Sequence, residues 1–68
     1  MSDSDLAELS TLRAQVDDVL ERVTAIAERY DNTASTAIAS DAFAAERALT
    51  TARRSLDRAI AHFTPLRP

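Results

Sequence analysis

The run Leu9-Ser10-Thr11-Leu12-Arg13-Ala14-Gln15-Val16-Asp17-Asp18-Val19-Leu20-Glu21-Arg22-Val23-Thr24-Ala25-Ile26-Ala27-Glu28-Arg29-Tyr30 decides the fold. Within it Leu9, Leu12, Val16, Val19, Val23, Ile26 and Tyr30 are apolar and recur at alternating steps of three and four. The helical period gathers such positions into one stripe, so the run reads as a long amphipathic helix made to pack on another. Upstream, Ser2, Ser4 or Asp5 can cap it, and Asp5 with Glu8 has the spacing of a capping box. Asp3, Asp5 and Glu8 also set negative charge at the positive end of the helix dipole.

Downstream, Asp31-Asn32-Thr33-Ala34-Ser35-Thr36 interrupts the pattern. Asn tolerates the left-handed conformation that ends helices, and Ser or Thr can cap the next one. A second stripe then follows at Ile38, Ala42, Ala45, Leu49, Ala52, Leu56, Ala59 and Phe63, until Pro65 and Pro68 stop it. Arg58 and His62 lie near its negative end, and Ser40 offers an alternative cap that would delay the start to Asp41. The expected fold is all-α: helix one over about 4–31, a turn over about 32–36, helix two over about 37–63 and a short tail 64–68. Together they form one antiparallel, coiled-coil-like two-helix hairpin domain.

The two stripes predict a register. Leu9, Val16, Val23 and Tyr30 take heptad row a of helix one, with Leu12, Val19 and Ile26 in row d. On helix two Ala42, Leu49, Leu56 and Phe63 take row a, and Ile38, Ala45, Ala52 and Ala59 row d. Facing rows a and d antiparallel requires partner numbers to share one sum, and 68 pairs Leu9–Ala59, Leu12–Leu56, Val16–Ala52, Val19–Leu49, Val23–Ala45, Ile26–Ala42 and Tyr30–Ile38. A one-heptad shift would leave a loop of about 13 residues, long for a helix connection. In this register Glu8 meets His62 and Arg29 meets Asp41, while Arg13 falls beside Arg53 and must find a carboxylate or another chain.

The neighbouring row e holds Leu6, Leu20 and Ala27 on helix one and Ala39 and Ile60 on helix two. A stripe this wide belongs to a helix with more than one neighbour. The expectation is therefore that the hairpin dimerises into a four-helix bundle, or docks on a heterologous helical protein, by burying row e. Arg13, Glu46 and Arg53 would set the register of that interface, and a charge placed at Leu20 would disperse it. Phe43 lies off the seam, and reads either as local packing near the turn or as a further contact residue.

Composition narrows the chemistry. At 68 residues the chain has room for one small core, and small cores need disulfides, metals or assembly. Cysteine is absent and His62 is the single histidine, which leaves assembly. Glycine is absent too, so no glycine-rich phosphate loop forms. No cofactor, metal or catalytic constellation emerges, and the chain is expected to be no enzyme. The acidic N-terminus lacks a signal-like apolar core and no apolar run approaches a membrane span, giving a cytoplasmic expectation.

All eight basic residues are arginine, and the net charge is −3. Through Asp31 the chain carries eight acidic residues and three arginines; the remainder carries three and five. Asp17, Glu21 and Glu28 form an acidic stripe on helix one, and Arg47, Arg54 and Arg58 an outward basic stripe on helix two. The overall architecture resembles, in shape alone, the small RNA-binding hairpin dimers that control plasmid copy number. That likeness implies RNA backbone binding by the basic stripe, although no aromatics interleave it and Glu46 and Asp57 dilute it.

Leu12-Arg13-Ala14-Gln15-Val16-Asp17 resembles the Leu-Arg-x-x-Ile-Asp opening of all-helical chorismate mutases, which implies a carboxylate-binding role for Arg13. That family also relies on a lysine and a third helix, and this chain has no lysine and two helical stripes. The helical-hairpin proteins of specialised secretion in Gram-positive bacteria are similar in architecture, but their Trp-x-Gly turn has no counterpart here.

Overall fold

The computed structural model describes residues 3–63, so the suggested cap Ser2, the stops Pro65 and Pro68 and the tail 64–68 lie outside the described residues. Two helices, α1 (Asp3–Tyr30) and α2 (Thr36–Ala61), pack against each other as a helical hairpin, with no strand among the described residues. At about 1.5 Å rise per residue each helix is roughly 40 Å long, and the molecule measures 53 × 16 × 16 Å. Ser4 and Asp5 lie inside α1 rather than ahead of it, and Asp3 and Asp5 supply its first-turn charge.

The turn solves the lack of glycine with one asparagine. Asn32 has φ 59°, the left-handed region that asparagine enters most readily after glycine. Asp31 N–H closes the last helical turn on the Ala27 carbonyl at 3.1 Å. The Thr33 hydroxyl donates to the Tyr30 carbonyl at 2.6 Å and accepts from Ser35 N–H at 3.1 Å, tying both ends of the turn to one side chain. Ser35 occupies the N-cap position of α2, yet its side chain makes no capping hydrogen bond, and α2 starts at Thr36 rather than Asp41. At the far end His62 N–H reaches the Arg58 and Ala59 carbonyls and Phe63 N–H the Ile60 carbonyl, a tightened last turn.

The inter-helix face is rotated from the expected one. On α1 the residues turned inward are Leu6, Leu9, Arg13, Val16, Leu20, Val23 and Ala27; on α2 they are Ala39, Ala42, Glu46, Leu49, Arg53, Leu56, Ile60 and Phe63. These are rows a and e, again spaced three and four. Row d of α1, expected to face row a of α2, points outward: Leu12, Val19 and Ile26 are exposed, as is Ile38 at the start of α2. Arg13–Asp57, Asp17–Arg53 and Thr24–Glu46 join the helices along one edge of the seam. The flanking pairs expected from the sequence, Glu8–His62 and Arg29–Asp41, do not form, because the rotation carries their row away from the seam.

The physical reason lies in row e. Arg13, Glu46 and Arg53 each lay an aliphatic stem across the seam and carry their charge to its edge. The resulting core is thin: Ala27 is fully buried and Ala39 is 3 % exposed, and no larger side chain among the described residues is fully buried. Substituting Asn32 by valine is expected to destabilise the fold by about 1–2 kcal/mol, because a β-branched residue resists positive φ, whereas glycine should be tolerated. Urea unfolding of the two variants side by side checks this; equal losses would mean that Asn32 acts through its side chain.

Candidate interaction face

With rows a and e in the seam, the rows beside them fall on two opposite faces of the hairpin. Row b (Asp17, Thr24, Phe43, Thr50 and Asp57) and the edge of row e make one face, polar apart from the half-buried Phe43. Asp17 is at its centre. Its Oδ2 accepts from Arg13 Nη1 at 2.8 Å, one turn earlier on α1, and its Oδ1 from Arg53 Nη1 at 3.2 Å across the seam. Arg13 Nε also donates to Asp57 Oδ1 at 2.7 Å, and Arg13 Nη2 to Asp57 Oδ2 at 3.4 Å. Toward the turn, Thr24 Oγ1 donates to Glu46 Oε2 at 2.6 Å. Asp17 and Asp57 thus supply the carboxylates that Arg13 and Arg53 were expected to need.

The hydrogen bond from Arg13 holds the Asp57 carboxyl below its ordinary range, against partial desolvation and with help from the charges of Arg13 and Arg53. The same hydrogen bond raises Arg13. Arg13, which the chorismate-mutase likeness would make a substrate-carboxylate ligand, is occupied by two carboxylates of its own chain.

Row d makes the other face, and it is apolar. Leu12, Val19, Ile26 and Ile38 are between 41 and 47 % exposed, and Ala45 and Ala52 continue the row along α2. Val19, Arg22, Val23 and Ile26 surround an open hollow of about 310 Å³. They stand at i, i+3, i+4 and i+7, the four residues that form the receptacle for an inserted side chain when helices interdigitate. Row g rims this face with Glu8, Gln15, Arg22 and Arg29 on α1 and Asp41, Ala48, Ser55 and His62 on α2.

Of the residues expected to meet another chain, Leu6, Leu20 and Ile60 are half-buried between the two helices of one hairpin, and Ala27 and Ala39 are buried there. Arg13, Glu46 and Arg53 do set a register, that of α1 on α2. Phe43 is half-buried beside the turn. Arg47, Arg54 and Arg58 are exposed on the back of α2; Arg58 Nη2 donates to Ser55 Oγ at 3.0 Å, and Arg47 and Arg54 flank a hollow shared with Glu46, Thr50 and Thr51. The outward row d was missed as a surface, although the size of its residues on α1 was the available signal. Among the described residues no group of acidic and histidine side chains is placed to hold a metal, and no helix is long and apolar enough to cross a membrane.

The molecule is thus a helical hairpin with one polar, internally bonded face and one apolar face without a cover. Comparison with protein-family models, with curated proteins and with solved structures found no match.

The depressed pKa of Asp57 sets a pH dependence. Its contribution to stability is present in full above about pH 4, the unfolded value, and is lost as the pH falls below that through the folded one. Asp57→Asn should therefore be less stable than the parent at pH 7, with the gap closing toward about pH 3. Denaturation midpoints at the two pH values test it, and a gap that persists in acid would assign Asp57 a role other than charge.

Proposed function

We propose that the chain is a non-enzymatic protein–protein interaction module that works by burying its row-d face against other helices, either those of a second copy or those of a larger helical protein. The observation that carries this reading is the contrast between the two faces. The polar face satisfies its charges internally, whereas the apolar face keeps Leu12, Val19, Ile26 and Ile38 in water around an open helix-packing hollow. Burying one such side chain completely is worth about 1.5–3 kcal/mol, so covering the remainder of four yields several kcal/mol. The thin seam of the lone hairpin needs that contribution. The proposed partner surface is accordingly row d with its row-g rim, in place of the row-e residues first expected, which serve the hairpin itself.

RNA binding by Arg47, Arg54 and Arg58 is the weaker reading. It rests on three exposed guanidinium groups in a chain of net charge −3, and salt-sensitive retardation of RNA lost on replacing all three would be its signature.

Val19→Glu tests the main reading by placing a charge in the middle of the apolar face. Molar mass by light scattering across a concentration series is expected to show an assembly for the parent, and at least about tenfold weaker association for the variant, whose isolated hairpin stays partly helical. An assembly that forms equally well with Glu at this position would refute the use of this face.

A further inference from the structure

We propose that the occupant of the apolar face is a second copy of this chain, packed face to face with both turns at the same end of a four-helix bundle. This rests on the reading of row d as an interaction face and specifies who covers it and in which orientation.

The first argument is size. Face-to-face pairing with a twofold axis along the hairpin sets α1 of one copy against α2 of the other at the same height. The register is then the one that Arg13–Asp57 and Asp17–Arg53 already fix within a hairpin. Leu12, Val19 and Ile26 then oppose Ala59, Ala52 and Ala45 of the second copy, one large residue against one alanine in each layer. The alternative axis, across the hairpin, sets α1 on α1 and α2 on α2. Leu12 would meet Ile26, Val19 would meet Val19, Ala52 would meet Ala52 and Ala45 would meet Ala59, wide on one side of the bundle and narrow on the other. Helix axes held at one separation by a hairpin fit the even arrangement.

The second argument is charge. In the turns-together arrangement Arg29 faces Asp41 of the second copy, Glu8 faces His62, Arg22 faces Ala48 and Gln15 faces Ser55, with no like-charged pair along the rim. Among the described residues neither Arg29 nor Asp41 makes an ion pair within its own hairpin, so both are available to another chain. The twofold axis generates each contact twice, as an isologous interface requires.

The test uses full-length chains carrying Arg29→Glu or Asp41→Arg, mixed at low ionic strength, where rim charges are least screened. Each variant alone places like charges at both rim contacts; the mixture restores opposite charges at both. Native mass spectrometry should show the heterodimer rising from the statistical half to about nine tenths of the dimers, and the double variant R29E/D41R should dimerise as the parent does. Circular dichroism of each variant shows that its helices are intact. A spin label at Ala34→Cys gives a second readout. Turns together should bring the two labels much closer than the 53 Å length of the hairpin, and turns apart would hold them near that length. A statistical mixture with labels far apart would overturn the orientation while leaving the interaction face in place. A parent chain that stays monomeric at all concentrations would overturn the second copy as occupant, and sensitivity of binding to Val19→Glu would then be sought with a heterologous helical protein.

Discussion

The carboxylate of Asp17 is shared between two guanidinium groups, one a turn away on its own helix and one across the seam. That sharing fixes the relation of the two helices more tightly than the apolar contacts do. A seam of alanine and partly exposed leucine tolerates sliding by a residue or rotation by a row, since each alternative buries similar small side chains. The arginine–aspartate hydrogen bonds at 2.7–3.2 Å favour the observed arrangement, in which Arg13 and Arg53 both reach carboxylates of the other helix. Each contact is at least one-third exposed on one side and contributes modestly by itself. Their effect is selection of one register among near-equals, and once it is chosen, Thr24 meets Glu46 and row d is left outside.

Fold class was legible in the sequence because it depends on periodicity and punctuation. The three-and-four spacing from Leu9 to Tyr30 and from Ile38 to Phe63 can be satisfied only by helices, and Asn32 was the residue placed to take the left-handed turn in a chain without glycine. The facing rows were not legible, for a reason specific to this composition. Rows a and d, and equally rows e and a, each recur at three and four, so one chain carries two overlapping stripes that together span about 100°. Choosing between them by hydrophobicity favours Leu12, Val19 and Ile26 over Arg13, Glu46 and Arg53. That choice treats arginine and glutamate as wholly polar, whereas their stems cover apolar surface while their ends reach the edge. The charged residues of row e, off the expected seam, lie along the observed one.

The same rotation explains why the candidate face was half seen. A wide stripe was evident from sequence, and with it the expectation of a further neighbour. Which part of the stripe stays free follows from the carboxylates Asp17 and Asp57, whose role depends on partners 36 and 44 residues away in the chain. Local patterning contains no record of such distances. The hollow at Val19, Arg22, Val23 and Ile26, by contrast, is wholly local, and its four positions could be recognised once row d was known to point outward.

The near-absence of large buried side chains has a calorimetric consequence. Heat-capacity change and denaturant sensitivity both scale with the apolar surface uncovered on unfolding. A hairpin whose two buried hydrophobic residues, among those described, are alanines uncovers little. Opened by itself it would melt over a broad temperature range with a shallow dependence on denaturant. Any sharpness in its transition, and any pronounced curvature of its stability with temperature, would have to come from further apolar surface, such as row d, being covered.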